Sequence, residues 1–290
     1  MIRVSTSQFY ARSTSQMGAL SVTADQLQTQ IATGKRIAAP SDDAAGYQQL
    51  STLKQATADD VGAKANIVLA QGVLDQSDTA LAAIEEQLQR AKELALQASS
   101  GTLSAEDRKA IATSVDDIID DVFTLANTRD VRGQAIFGGG GAEAFARAAD
   151  GTISYVGGAG AGAIPIGSGG DIQVTEAGDR ALGDLFASLG AMAAALREGE
   201  SPEGAIDALG GALDTVIASR ASVGARGFRL DIEMGRLADV AVDREAARGG
   251  IEDLDMSAAI TELQKTLTIL QATQGSFTKL SSLSLFDYLR

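Results

Sequence analysis

Both ends of the chain place an apolar or small residue every three or four positions. From Ile2 to Ile31 the stripe runs through Ile2, Thr6, Phe9, Ser13, Met17, Leu20, Ala24, Leu27 and Ile31. It returns near the other end in Met256, Ile260, Leu263, Leu267, Leu270, Gln274 and Phe277. A repeat of about 3.5 residues fits a helix that meets another helix along a narrow seam, rather than one lying on a broad core. Thirty such residues reach roughly 45 Å at about 1.5 Å per residue. Termini ordinarily fray, so patterning this regular predicts that the two ends pair and then bury themselves in an assembly. Polar Thr6, Ser13 and Gln274 interrupt the stripes. Two such helices alone gain little, because burial at about 25 cal/mol per Å² is opposed by roughly 1–2 kcal/mol of backbone ordering per residue. Further copies would supply the missing area.

Inside these ends the period continues. The first helix is expected to stop at Thr33-Gly34, where glycine accepts the left-handed conformation. Lys35 to Asp43 reads as a turn-rich connector, with Pro40 biasing Ala39 away from helix, Ser41 or Asp42 placed to cap the next helix, and the Asp42-Asp43 pair read as capping rather than as a metal site. A short segment around Tyr47 to Lys54 precedes a long seam through Ala63, Ile67, Ala70, Leu74, Ser77, Leu81, Ile84, Leu88, Ala91 and Ala95. Its many alanines predict a partner backbone lying close. After Ser99 to Thr102, Ser104 and Asp107 have the spacing of a reciprocal cap, and Ile111, Val115, Ile118, Val122 and Leu125 carry the next stripe. Between Gly138 and Gly170, 12 of 33 residues are glycine and the helical period disappears. Thr152–Val156 and Asp171–Val174 alternate, which favours a small β-hairpin element over a flexible insertion. Helix resumes near Ala181 to Leu196, and Pro202 is expected in the first turn of a last inner helix running to about Ala247. Gly249-Gly250 and Asp253-Leu254-Asp255 form a second connector.

Composition removes most chemistry. There is neither Cys nor His, so thiol nucleophiles, disulfides, imidazole bases and the common zinc sites are excluded. A net charge of −14 without a Lys/Arg cluster argues against nucleic acid and anionic membrane surfaces as partners. No stretch has the length and apolarity of a membrane span, and the first residues lack a basic segment followed by an apolar core, so export would need a route other than a cleavable leader. Ser51 and Lys54 have the spacing of a nucleophile pair, but nothing around them completes a site, and a helix surface explains them. Gly138 to Gly141 lack the Lys-Ser/Thr of a phosphate loop. Asp116, Asp117, Asp120 and Asp121 read as a solvated helix face. No catalytic, cofactor-binding or metal-ligating residue is expected.

Four segments carry a resemblance. They are Ile31-Ala32-Thr33-Gly34-Lys35-Arg36-Ile37-Ala38-Ala39-Pro40-Ser41-Asp42-Asp43, the stretch from Leu88 to Ala98, the stretch from Val223 to Leu230, and the ending Leu283-Ser284-Leu285-Phe286-Asp287-Tyr288-Leu289. Together they resemble the flagellin-related axial proteins of bacteria. Pro40-Ser41 and Phe286-Asp287-Tyr288 favour the hook–filament junction branch, whereas Ala44-Ala45-Gly46 and the final Arg290 are similar to flagellin, the alternative. The resemblance implies a mainly α, flagellin-like elongated helical bundle with terminal coiled-coil helices and a small β-hairpin insertion. Residues 1–40 and 254–290 would form the axial coiled-coil domain, 41–137 and 180–253 a helical rod, and 138–179 the glycine-rich insertion. It further implies an uncleaved, exported, extracellular subunit that assembles with copies of itself, hook-associated protein 1 and flagellin. The flagellar export apparatus and a chaperone binding the C-terminal part would handle it earlier. The assembly interface would then comprise Ile2, Phe9, Met17, Leu20, Leu27, Ile31, Met256, Ile260, Leu263, Leu267, Leu270, Phe277, Leu285, Phe286, Tyr288 and Leu289.

Overall fold

A computed structural model describes residues 2–160 and 162–286, with side chains for 8–160 and 162–279. The chain divides into two compact units. One holds residues 1–58 and 240–290, the other residues 59–239.

The inner unit, residues 59–239, holds most of two long helices, α2 (Ala44–Ala98) and α6 (Ala205–Glu252), a short α4 (Gly178–Leu182), and α3 (Ala105–Ala126) and α5 (Leu185–Arg197) packed on one another. Helix α2 is continuous from Ala44, so the separate short segment expected around Tyr47 to Lys54 is simply its first part. Every seam residue named above on α2, from Ala63 to Ala95, is buried. They join Ile111, Val115, Ile118 and Val122 of α3, and Leu209, Val216, Val223 and Leu230 of α6, in one core. Removing this much aliphatic surface from water is what holds the unit together. Polar ties sit at its margin: Arg220 on α6 reaches Asp78 at 3.1 Å and Glu85 at 2.6 Å on α2. At the start of α3 the Asp107 N–H donates to Ser104 Oγ and the Asp107 carboxylate accepts from the Ser104 N–H. This is the reciprocal cap its spacing predicts, worth about 1 kcal/mol.

The glycine-rich stretch forms two hairpins, not one. Strands β1 (Phe145–Arg147) and β2 (Ile153–Tyr155) pair antiparallel with Phe145 opposite Tyr155, and β3 (Ala163–Pro165) pairs with β4 (Asp171–Gln173) with Ile164 opposite Ile172. The stretch is anchored rather than loose, because Ile136, Phe137, Ile166 and Ile172 are fully buried in the common core. Its glycines let backbones touch: a Cβ on Gly139 would lie 1.9 Å from the Gly158 carbonyl oxygen. Arginines of α6 pin the second hairpin, Arg226 through Glu176 and the Gln173 carbonyl, Arg229 through the Gly169 carbonyl, and Arg236 through Ser168. The aspartate face of α3 is likewise employed, with Asp120 paired to Arg147 and Asp116 to Arg197. Pro202 lies before α6, which begins only at Ala205; its carbonyl accepts the Ala205 N–H at 3.2 Å, so it opens the turn leading into the helix instead of sitting in the helix's first turn.

In the other unit, α1 (Ile2–Thr33) and α7 (Met256–Phe286) pack as an antiparallel pair. Their directions follow from two contacts: Lys35 bridges Asp253 at one end, and the Tyr10 and Phe277 rings stack edge-to-face 5.3 Å apart toward the other. Among the described residues no helix is long and apolar enough to cross a membrane.

Candidate assembly surface

On α1 the covered positions are Tyr10, Ser13, Met17, Leu20, Ala24, Leu27, Gln30 and Ile31, buried or half-buried at three- and four-residue steps. On α7 they are Ala259, Leu263, Thr266, Leu270, Thr273 and Phe277. Ser13, Ala24, Ala259 and Thr266 are the most deeply buried of these, so the helices come closest over small side chains, while the larger Met17, Leu20, Leu27, Leu263 and Leu270 are only half-buried. Small residues bring the helix axes together but bury little apolar area, and the pair is correspondingly thin.

The expected interface residues therefore divide. Met17, Leu20, Leu27, Ile31, Leu263, Leu270 and Phe277 sit in or beside the seam between α1 and α7. Phe9, Met256, Ile260 and Leu267 remain 43%, 42%, 43% and 36% exposed, three of them forming a second ridge along α7 beside the seam. Val22 and Ile269, absent from the expected set, are also exposed. The side chains of Ile2, Leu285 and Phe286, together with Tyr288 and Leu289, lie outside the described residues.

At the base of the pair the two connectors meet. Gly34 closes α1 in the left-handed region (φ 70), its N–H donating to the Gln30 carbonyl at 2.8 Å. The Arg36 N–H donates to the Glu252 carbonyl at 2.7 Å, and the Leu254 N–H to the Gly34 carbonyl at 3.0 Å. Across this short ladder Lys35 Nζ lies 2.6 Å from Glu252 Oε1, and Arg248 approaches the same carboxylate at 3.5 Å. The Arg36 guanidinium donates to the Ile251 carbonyl at 2.8 Å, and Gln30 Nε2 to the Arg36 carbonyl at 2.7 Å. The Lys35 ammonium holds the Glu252 carboxyl below its ordinary range against the opposing effect of burial.

The paired aspartates have separate tasks. Asp42 accepts the Ala39 and Ala38 N–H groups, which keep its carboxyl below the ordinary range. Asp43 accepts the Gly46 N–H at 2.9 Å and caps α2, and that bond lowers its carboxyl too. Ile37 is buried over Gly46, where an added Cβ would meet Ile37 Cδ1 at 2.5 Å. The capping role was predictable from the run of aspartates; the tie between Lys35 and Glu252 was not. Ser51 and Lys54 are exposed on α2. Among the described residues no group of carboxylates is arranged to hold a metal.

Residues 4–141 match the bacterial flagellin N-terminal helical region, and residues 206–289 match the bacterial flagellin C-terminal helical region. Flagellar hook-associated protein 3 of Escherichia coli (strain K12) is 29% identical over 286 residues, covering 89% of this chain and 90% of its own. A flagellin of Listeria monocytogenes is 26% identical, covering 86% of this chain and 85% of its own. Among solved structures, a putative flagellar hook-associated protein from Vibrio parahaemolyticus superposes with a TM-score of 0.64 at 20% identity, over 73% of this chain and all of that one.

Proposed function

The chain belongs to the flagellin-related axial protein family, and on that premise we propose that it joins the hook-associated region of the bacterial flagellum to the filament as a mechanical adaptor. Its work is structural: copies pack side by side and transmit torque without turning over a substrate. The observation that carries this reading is the charge distribution. The whole chain has a net charge of −14 and must repel its own copies. Yet from Gln8 to Thr33 and from Met256 to Thr278 the only ionisable side chains, Tyr10 apart, are Arg12, Asp25, Glu262 and Lys265, two of each sign. Glu262 and Lys265 also neutralise one another at 3.2 Å. On this helix pair copies can approach closely without carboxylate repulsion, and Phe9, Met256, Ile260 and Leu267 offer uncovered apolar area to do so.

The partners implied by this role are copies of the chain, hook-associated protein 1 on the hook side, flagellin on the filament side, and before export a chaperone holding the C-terminal part. The axial domain would comprise residues 1–40 and 254–290, with the sixteen interface residues named above. Labelled imaging of intact flagella tests the assignment. The expected result is a short zone at the distal end of the hook. Label along the filament's full length would make the chain a flagellin.

A further inference from the structure

We propose that the Lys35–Glu252 tie and the backbone ladder around it form a register clasp, and that Lys35, Arg36 and Glu252 are positioning residues for assembly. The inference rests on the chain being an assembling axial subunit. It starts from a weakness of the α1–α7 seam. The seam repeats every seven residues and is lined at its most buried points by Ser13, Ala24, Ala259 and Thr266. Sliding one helix past the other by a heptad, about 10 Å, again sets small or apolar residues against one another. No charge is buried inside the seam, and its larger side chains, Leu20 and Leu27 on α1 and Leu263, Leu270 and Phe277 on α7, themselves recur every seven residues, so the seam does not forbid the slip.

The base does forbid it. The Arg36 N–H to Glu252 carbonyl and Leu254 N–H to Gly34 carbonyl bonds exist at one offset only. Lys35 and Glu252 are then opposite each other, with the carboxylate only 5% exposed. A slipped pair would take the Lys35 ammonium, 2.6 Å away, from that buried carboxylate and leave it the longer Arg248 contact at 3.5 Å, a larger loss than that of an exposed ion pair. From the clasp the two arms are matched: Tyr10 lies 24 residues before Gly34, and Phe277 lies 23 residues after Leu254. Fixing the base therefore delivers the Tyr10 and Phe277 rings to their 5.3 Å contact. It also sets which exposed side chains of α1 stand beside the Met256–Ile260–Leu267 ridge, and so the surface a second copy meets.

The absence of cysteine makes the register directly readable. In the full chain, Tyr10→Cys with Phe277→Cys reports the native offset, and Tyr10→Cys with Leu270→Cys reports a one-heptad slip. The unclasped variant combines Lys35→Met with Arg36→Ala. We expect unclasping to lower the ratio of native to slipped disulfide by about tenfold, and Lys35→Arg in place of Lys35→Met to recover part of it. Thermal unfolding of the inner unit, followed in parallel, should not move. An unchanged ratio overturns the clasp, and so does a fall accompanied by unfolding of residues 59–239. Seeded polymerisation of the parent chain separately judges the assembly reading, since the disulfide ratio reports register in monomer and polymer alike.

Discussion

Glu252 is a carboxylate removed from water and faced by Lys35 and Arg248, with Lys54 close enough to favour its charge. Its carboxyl is lowered from the ordinary 4.5. The charged form therefore contributes stability that is fully present above that ordinary value and is lost as pH falls through the lower folded one. Acid should loosen the connectors before it touches the aliphatic core of the inner unit. Amide protection at Arg36 and Leu254, corrected for the intrinsic slowing of exchange in acid and followed from pH 7 downward, should fall below about pH 4.5. The Glu252→Gln variant should exchange faster at neutral pH and show a flatter acid limb; an identical profile would remove Glu252 from the account. The Asp43 cap and the Ser104–Asp107 box were visible in the sequence because each is local, spanning three residues. The Lys35–Glu252 tie spans 217 residues, and no periodicity or spacing rule connects positions so far apart.

Helix α2 was legible as a seam because its partners demand bulk: Ile67, Leu74, Leu81, Ile84 and Leu88 recur at the period and are all buried. Truncating Leu81 to Ala should cost the inner unit about 2–5 kcal/mol, measured by denaturant unfolding. Helix α7 was legible as a helix and in part of its facing. Periodicity weighs large apolar residues, which pointed to Met256, Ile260, Leu263, Leu267, Leu270 and Phe277. The seam with α1 covers Leu263, Leu270 and Phe277 together with Ala259, Thr266 and Thr273, because close axes admit small side chains. Met256, Ile260 and Leu267 are thereby left on the exposed ridge. Their exposure sets up the opposite expectation from Leu81. Leu267→Asp should shift the unfolding of the isolated chain by no more than about 0.5 kcal/mol, as exposed substitutions do. In the assembly the same aspartate would be buried without a counter-charge, so pelletable polymer should fall sharply. Comparable losses in both measurements would place Leu267 inside the folded monomer. The glycine-rich stretch is only half legible: the alternation of Ile153 to Tyr155 and of Asp171 to Gln173 marks two strands, but their partners carry no such signal, β1 lying among the alanines from Ala142 to Ala149 and β3 containing Pro165.

At the scale of the whole molecule the balance is between a strongly anionic chain and a nearly neutral helix pair. Salt should accelerate assembly, because screening with a Debye length of about 10 Å at 0.1 M weakens repulsion between the charged inner units and leaves the uncharged ridge unaffected. A polymerisation rate that falls as salt is added would mean that ion pairs, not apolar burial, drive the contact. The same balance fixes where order resides before assembly. Residues 59–239 bury an extended aliphatic core, whereas the α1–α7 pair only half-buries its larger side chains and leaves Phe9, Ile260 and Leu267 exposed. Local opening free energy follows buried apolar contact, so the two regions should differ in amide protection by far more than helix length would suggest. In a verified monomer, amides from Phe9 to Thr33 and from Met256 to Phe277 should exchange rapidly while those of the α2 seam from Ile67 to Ala95 stay protected. Residues next to the clasp should be the slowest within the pair, because the ladder closes there. On polymerisation the gap should narrow as neighbouring copies cover the ridge and supply the area a single chain lacks. Equal protection of both regions in the monomer would mean that the helix pair is complete without its neighbours.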